Sequence, residues 1–131
     1  PNPCGDPPGG AGAALSPPGA MGGALRAQSA RRPAGTRAVL GGAILRIDPN
    51  SGAVFPGNPL IGGPNPGAER IIAFGLRNPF RMARRPGTSE IWAGDVGWSN
   101  AEEINRVRDP ADGVVENFGW PCFEGNTRHP A

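Results

Sequence analysis

Glu90-Ile91-Trp92-Ala93-Gly94-Asp95, followed by Glu103-Ile104-Asn105-Arg106-Val107, decides the fold class. Both are short runs rich in β-branched and aromatic residues, bounded by Gly, Ser or Asp, which is how strands read. Working outward, Phe80-Arg81-Met82-Ala83 alternates apolar and polar, and Pro86-Gly87-Thr88 turns the chain between it and the next run. Arg70-Ile71-Ile72-Ala73-Phe74-Gly75 and Ala43-Ile44-Leu45-Arg46-Ile47-Asp48 are two further strands. Asp48-Pro49-Asn50-Ser51-Gly52 closes the earlier one: Pro presets its own φ, Asn bonds its own backbone, and Gly accepts positive φ. Strands at roughly ten-residue spacing with turn signals between them predict an all-β sandwich, barrel or propeller. The absence of a long amphipathic helical pattern argues against α/β architecture.

The chain has 131 residues, with 22 Gly and 17 Pro concentrated in its front half. Residues 1–37 show no sustained period and read as a long loop or insertion, with a short helical turn at Gly23 to Ser29. Residues 38–131 carry the strands. Every basic residue is Arg, and the formal net charge is +2. Arg31–Arg32 and Arg84–Arg85 lie in turn-like context, without the clustered basic face and interleaved aromatics of a nucleic-acid binder. No apolar stretch is long enough to span a bilayer. Cys4 and Cys122 cannot build a four-ligand zinc site; pairing with each other, pairing outside this chain and free thiols all stay open.

Three stretches carry candidate chemistry. In Gly75-Leu76-Arg77-Asn78-Pro79, a guanidinium fork and an amide stand between two strands, a pair suited to a polycarboxylate ligand. The same residues also suit a plain turn, with Arg77 capping backbone carbonyls and Asn78 forming an Asx-turn. In Gly94-Asp95-Val96-Gly97-Trp98, continued by Glu102-Glu103, three carboxylates accompany a loop able to present carbonyls, as calcium requires. The EF-hand spacing is missing, and a solvated acidic loop is the competing reading. In Glu116-Asn117-Phe118-Gly119-Trp120-Pro121-Cys122-Phe123-Glu124, the aromatics point to a packed corner, with Trp120 and Phe123 in the core. His129 reads as a surface residue in a Pro-flanked tail. No nucleophile elbow, phosphate loop or Rossmann fingerprint is present.

Ala43-Ile44-Leu45-Arg46-Ile47-Asp48-Pro49, Gly75-Leu76-Arg77-Asn78-Pro79-Phe80, Gly94-Asp95-Val96-Gly97, Glu102-Glu103-Ile104-Asn105 and Asn117-Phe118-Gly119-Trp120-Pro121, in this order, resemble signatures of the glucose/sorbosone dehydrogenase family. The resemblance implies a six-bladed β-propeller of which this chain is an interior fragment: about two blades over 38–131, behind the Gly/Pro-rich insertion. It implies a dependence on pyrroloquinoline quinone (PQQ) and calcium, with oxidation of an aldose at C1 and transfer of electrons to a separate acceptor. Arg77 and Asn78 would contact PQQ, Arg77 through a carboxylate. The carbonyls of Gly97 and Trp98 would hold an active-site calcium, while Glu103 and the Phe118 carbonyl would hold a structural one. The family's catalytic base, a His, would lie upstream of Pro1. His129 does not match it, so no catalytic residue is expected here and the chain alone is expected to be inactive. Gly94-Asp95-Val96-Gly97 also resembles relatives of hedgehog-interacting protein, which makes a non-catalytic extracellular binding propeller the alternative. Two cysteines fit an oxidising compartment, and the parent protein is expected to be extracellular or periplasmic.

Overall fold

The computed structural model describes residues 23–31, 34–98 and 100–128. Cys4, His129 and the rest of 1–22 lie outside the described residues, so expectations for them are left there. The architecture is all-β, with 3-10 turns as its only helical elements among the described residues.

Strand β1 (Ala43–Leu45) pairs antiparallel with β2 (Ile71–Phe74), which pairs in parallel with β6 (Glu116–Asn117). A second sheet is the antiparallel meander β3 (Pro79–Arg84), β4 (Ile91–Asp95) and β5 (Glu103–Val107). A small hairpin follows, β7 (Phe123–Glu124) with β8 (Thr127–Arg128). The expected strand over 43–48 stops early: β1 ends at Leu45 with an irregular register, and Ile47 reaches Val54 only through an isolated bridge. The three shortest strands gave no sequence signal, because two-residue runs have no period to read.

β2 is buried on both faces, as its unbroken Ile-Ile-Ala-Phe run dictates for the centre of a sheet. Ile72 and Ala73 join Ile44, Leu76, Ala93 and Val107 in one cluster, which packs the first sheet against the second. Ile71 and Phe74 join Ala38 and Ala68 in another. Asn58 is buried, and its Nδ2 ties Arg46 O and Glu69 O together at 2.8 and 2.9 Å. The turn after β1 uses Asp48, not Asn50, as its organiser. Asp48 Oδ1 accepts the N–H groups of Asn50 and Ser51 and the Ser51 hydroxyl, which holds its carboxyl below the usual range.

The helical turn expected at Gly23 to Ser29 is a 3-10 helix over Gly23–Arg31, docked on the turn after β2. The Ala27 carbonyl accepts the Gly75 N–H at 3.0 Å. Gln28, 3% exposed, exchanges amide hydrogen bonds with Asn117 and donates to the Trp120 carbonyl at 2.6 Å. Ser29 both donates to and accepts from the Val39 backbone. This helix therefore locks the Gly75 turn to the 117–120 corner. Trp120 is buried there as expected, but Phe123 is 44% exposed. β7 turns Glu124 inward, and strand alternation sends Phe123 out.

Candidate functional site

The Gly75–Asn78 turn follows β2, and two features force its shape. Gly75 has φ 79, and a Cβ there would strike the Asn117 side chain, so glycine is required twice over. Asp95, at the end of β4, is 3% exposed and receives both following backbone N–H groups: Arg77 N to Oδ2 at 2.9 Å and Asn78 N to Oδ1 at 2.6 Å. The Val96 N–H returns a bond to the Asn78 carbonyl at 3.1 Å. Burial pushes the Asp95 carboxyl above its ordinary pKa, and the two N–H bonds pull it partly back.

Arg77 reaches over the next loop. Its Nη1 donates to the carbonyls of Val96 at 3.0 Å and Gly97 at 2.7 Å, and the guanidinium lies 5.7 Å from the Trp120 ring centroid. The carbonyl-capping role is therefore real. It occupies only Nη1, so the Nε and Nη2 edge of the fork keeps its donor capacity. Trp120 in turn meets Trp98 edge-on at 6.0 Å, and Trp98 is 62% exposed. Asn78 is exposed beside Arg77, its backbone fixed by Asp95. A half-buried cation fixed at one edge and open at the other can recognise a planar carboxylate.

The acidic residues of the loop do something the sequence did not disclose: each faces a backbone donor. Asp95 serves the Arg77–Asn78 turn, Glu102 accepts the Gly97 N–H at 3.1 Å, and Glu103 accepts the Gly125 N–H at 2.8 Å. Among the described residues, no three of His, Cys, Asp and Glu gather as a metal-holding group. The Gly97 carbonyl already accepts from the Arg77 cation, and a dication on the same oxygen would be repelled by that guanidinium. Phe118 leans on the core, with its N–H bonded to the Phe74 carbonyl. The structure thus unites Arg77, Asn78, Gly97 and Trp98 at one end of β4, while Glu103 is tied to the Gly125 turn.

Two residues with central places here were not singled out as site candidates from the sequence: Gln28 and Glu124. Glu124 is 2% exposed and accepts the Trp98 N–H and, at 3.0 Å, the Asn100 amide. With Gly97, Trp98, Asn100, Ala101 and Glu102 it lines an open pocket of about 310 Å³. A Glu three residues beyond a Trp-Pro pair carries no local signal of burial. Cys122, beside this hairpin, is disulfide-bonded.

Comparison with known proteins follows the same lines. The family model for glucose / sorbosone dehydrogenase matches residues 14–129. An uncharacterized protein of Synechocystis is 32% identical over 91 residues, which is 70% of this chain and 20% of that protein. The aldose sugar dehydrogenase YliI of Escherichia coli is 34% identical over 82 residues, 63% of this chain and 20% of its own length. The chain spans about a fifth of the length of these curated relatives. No solved structure matches it significantly.

Proposed function

The chain belongs to the glucose/sorbosone dehydrogenase family, and from that premise we propose that it supplies part of the cofactor site of a PQQ-dependent dehydrogenase that oxidises aldose sugars at C1. The observation that carries this reading is the Arg77 guanidinium, fixed by two carbonyls and a Trp face with its outer edge open. PQQ is a planar tricarboxylate, and its chemistry when bound is to accept a hydride from the sugar. The residues fit its acidic edge: Arg77 offers a bidentate fork, and Asn78 a donor and an acceptor beside it. Asp95 sets the height of both by holding their backbone N–H groups. Trp98 and Trp120 present aromatic surface next to the fork, which excludes water and strengthens its pairing.

The proposal also carries calcium at Gly97, Trp98, Glu103 and Phe118, and there the fit is poorer. The Gly97 carbonyl and the Glu103 carboxylate are both engaged by protein donors, so no step is assigned to the ion. Oxidation at C1 also needs a base for the hydroxyl proton, and none of the residues above is placed for that work. The chain is thus proposed as one part of a longer six-bladed propeller outside the cytoplasm. In that protein, residues 38–131 form blades and 1–37 the insertion.

The test is a PQQ titration of the full chain, paired with dye-linked aldose oxidation by a version extended to the length of its relatives. Arg77→Ala is expected to weaken PQQ binding by about 2–5 kcal/mol, the cost of stripping a desolvated charge pair. An affinity unchanged by Arg77→Ala would return the pair to a purely structural turn. An extended protein that turns over no aldose would favour a non-catalytic binding propeller.

A further inference from the structure

We propose that Glu124 is a positioning residue for Arg77, a role that rests on the PQQ-site reading above. Burying a carboxylate is costly unless hydrogen bonds replace its water. Glu124 is 2% exposed, and its two oxygens go to one loop: Oε1 takes the Trp98 N–H, and Oε2 takes the Asn100 amide at 3.0 Å. A Cβ on Gly97 would run into the Ala101 carbonyl and Glu124 Oε1, so the loop lies tight on this side chain. Glu102 closes the loop on itself through the Gly97 N–H. The far side of the same loop presents the Val96 and Gly97 carbonyls that hold Arg77 Nη1.

A short chain of bonds therefore leads from β7 to the cation. Glu124 fixes the Trp98 N–H, that peptide fixes the Gly97 carbonyl, and the carbonyl fixes the guanidinium. Asp95 sets the backbone of Arg77 from the opposite side. The fork is held at its root by one buried carboxylate and at its tip, through a loop, by another. An arginine in a flexible loop loses rotamer freedom when it binds a carboxylate; one already held loses less, and that saving appears as affinity.

The test uses the full chain and two readouts. The first needs no cofactor: NMR of the Arg77 guanidinium, whose Nη hydrogens are resolved when rotation is restrained. Arg77 is expected to be restrained in the wild type and freely rotating in Glu124→Ala. Glu124→Gln is expected to restore the restraint, because its amide oxygen can still accept the Trp98 N–H. The second is the PQQ titration. Glu124→Ala is expected to weaken binding on the order of tenfold, and Arg77→Ala/Glu124→Ala to bind no more weakly than Arg77→Ala, because residues acting through one another are not additive.

Arg77 restraint that survives in folded Glu124→Ala would overturn the proposal, as would fully additive effects on PQQ binding. If Glu124→Ala does not fold, Glu124→Asp decides: it keeps the carboxylate but draws it back by one methylene from the Trp98 N–H, and Arg77 rotation unaltered there would assign Glu124 to packing alone. A wild type that ignores PQQ would sink the cofactor reading and leave the NMR result to judge Glu124 by itself.

Discussion

Asp95 is the residue on which the Arg77–Asn78 turn depends, and its titration gives a signed prediction. Burial raises its pKa above the ordinary 3.8, so the folded chain holds the proton more tightly than the unfolded one. Its contribution to stability is therefore complete below about pH 3.8 and declines as pH rises through the raised value. Asp48 and Glu90 run the other way: hydrogen bonds hold their carboxyls low, and their contributions fade as pH falls. Asp95→Asn cannot titrate, and its amide has one acceptor oxygen for two N–H donors, a deficit of about 1–3 kcal/mol. Urea midpoints measured from pH 3.5 to about 6.5 should show wild type ahead of Asp95→Asn, by a margin that narrows as pH rises. A margin that widens with pH would mean that the two N–H bonds outweigh burial. Sequence reading placed Asp95 among oxygen donors for a metal, the right chemical type with the wrong recipient. Nothing local told that its neighbours across the sheet would be the Arg77 and Asn78 N–H groups.

At the scale of elements, the turn after β2 is crowded and the turn after β3 is not. Gly75 and Gly87 share a left-handed φ, 79 and 73, but a Cβ at Gly75 meets Asn117, Gly119 and Gln28, while at Gly87 it meets nothing. Gly87→Ala should cost only the backbone strain, about 1 kcal/mol, and Gly75→Ala clearly more, because the 3-10 helix and the 117–120 corner must both yield. Thermal melts of the two variants side by side would check this, and equal losses would show that the helix does not pin the turn. Strands β3, β4 and β5 were readable because each is long enough to show composition and turn boundaries. β6 was not, since a two-residue strand in parallel register with β2 exists only once β2 is in place.

Across the whole molecule, two sheets share one cluster, in which Leu76 is fully buried among Ile44, Ile72, Ala73, Ala93 and Val107. Leu76→Ala should cost about 2–5 kcal/mol, and a cooperative unfolding curve should shift as one. The second sheet is not fully covered: Phe80, Met82 and Ile104 are 68, 57 and 76% exposed. Ile104→Lys should leave stability within about 0.5 kcal/mol while reducing self-association in light scattering. The sequence by itself determined the all-β class, the positions of the longer strands, the family, and the Arg77–Asn78 and Gly97–Trp98 stretches as the places to look. These are local properties, set by composition, turn chemistry and spacing along the chain. Only the tertiary structure decided that Asp95 and Glu124 are buried, that Gln28 closes the Gly75 corner, and that Phe123 faces out. Each of those depends on which groups from distant parts of the chain lose water together, and no window of sequence contains both partners.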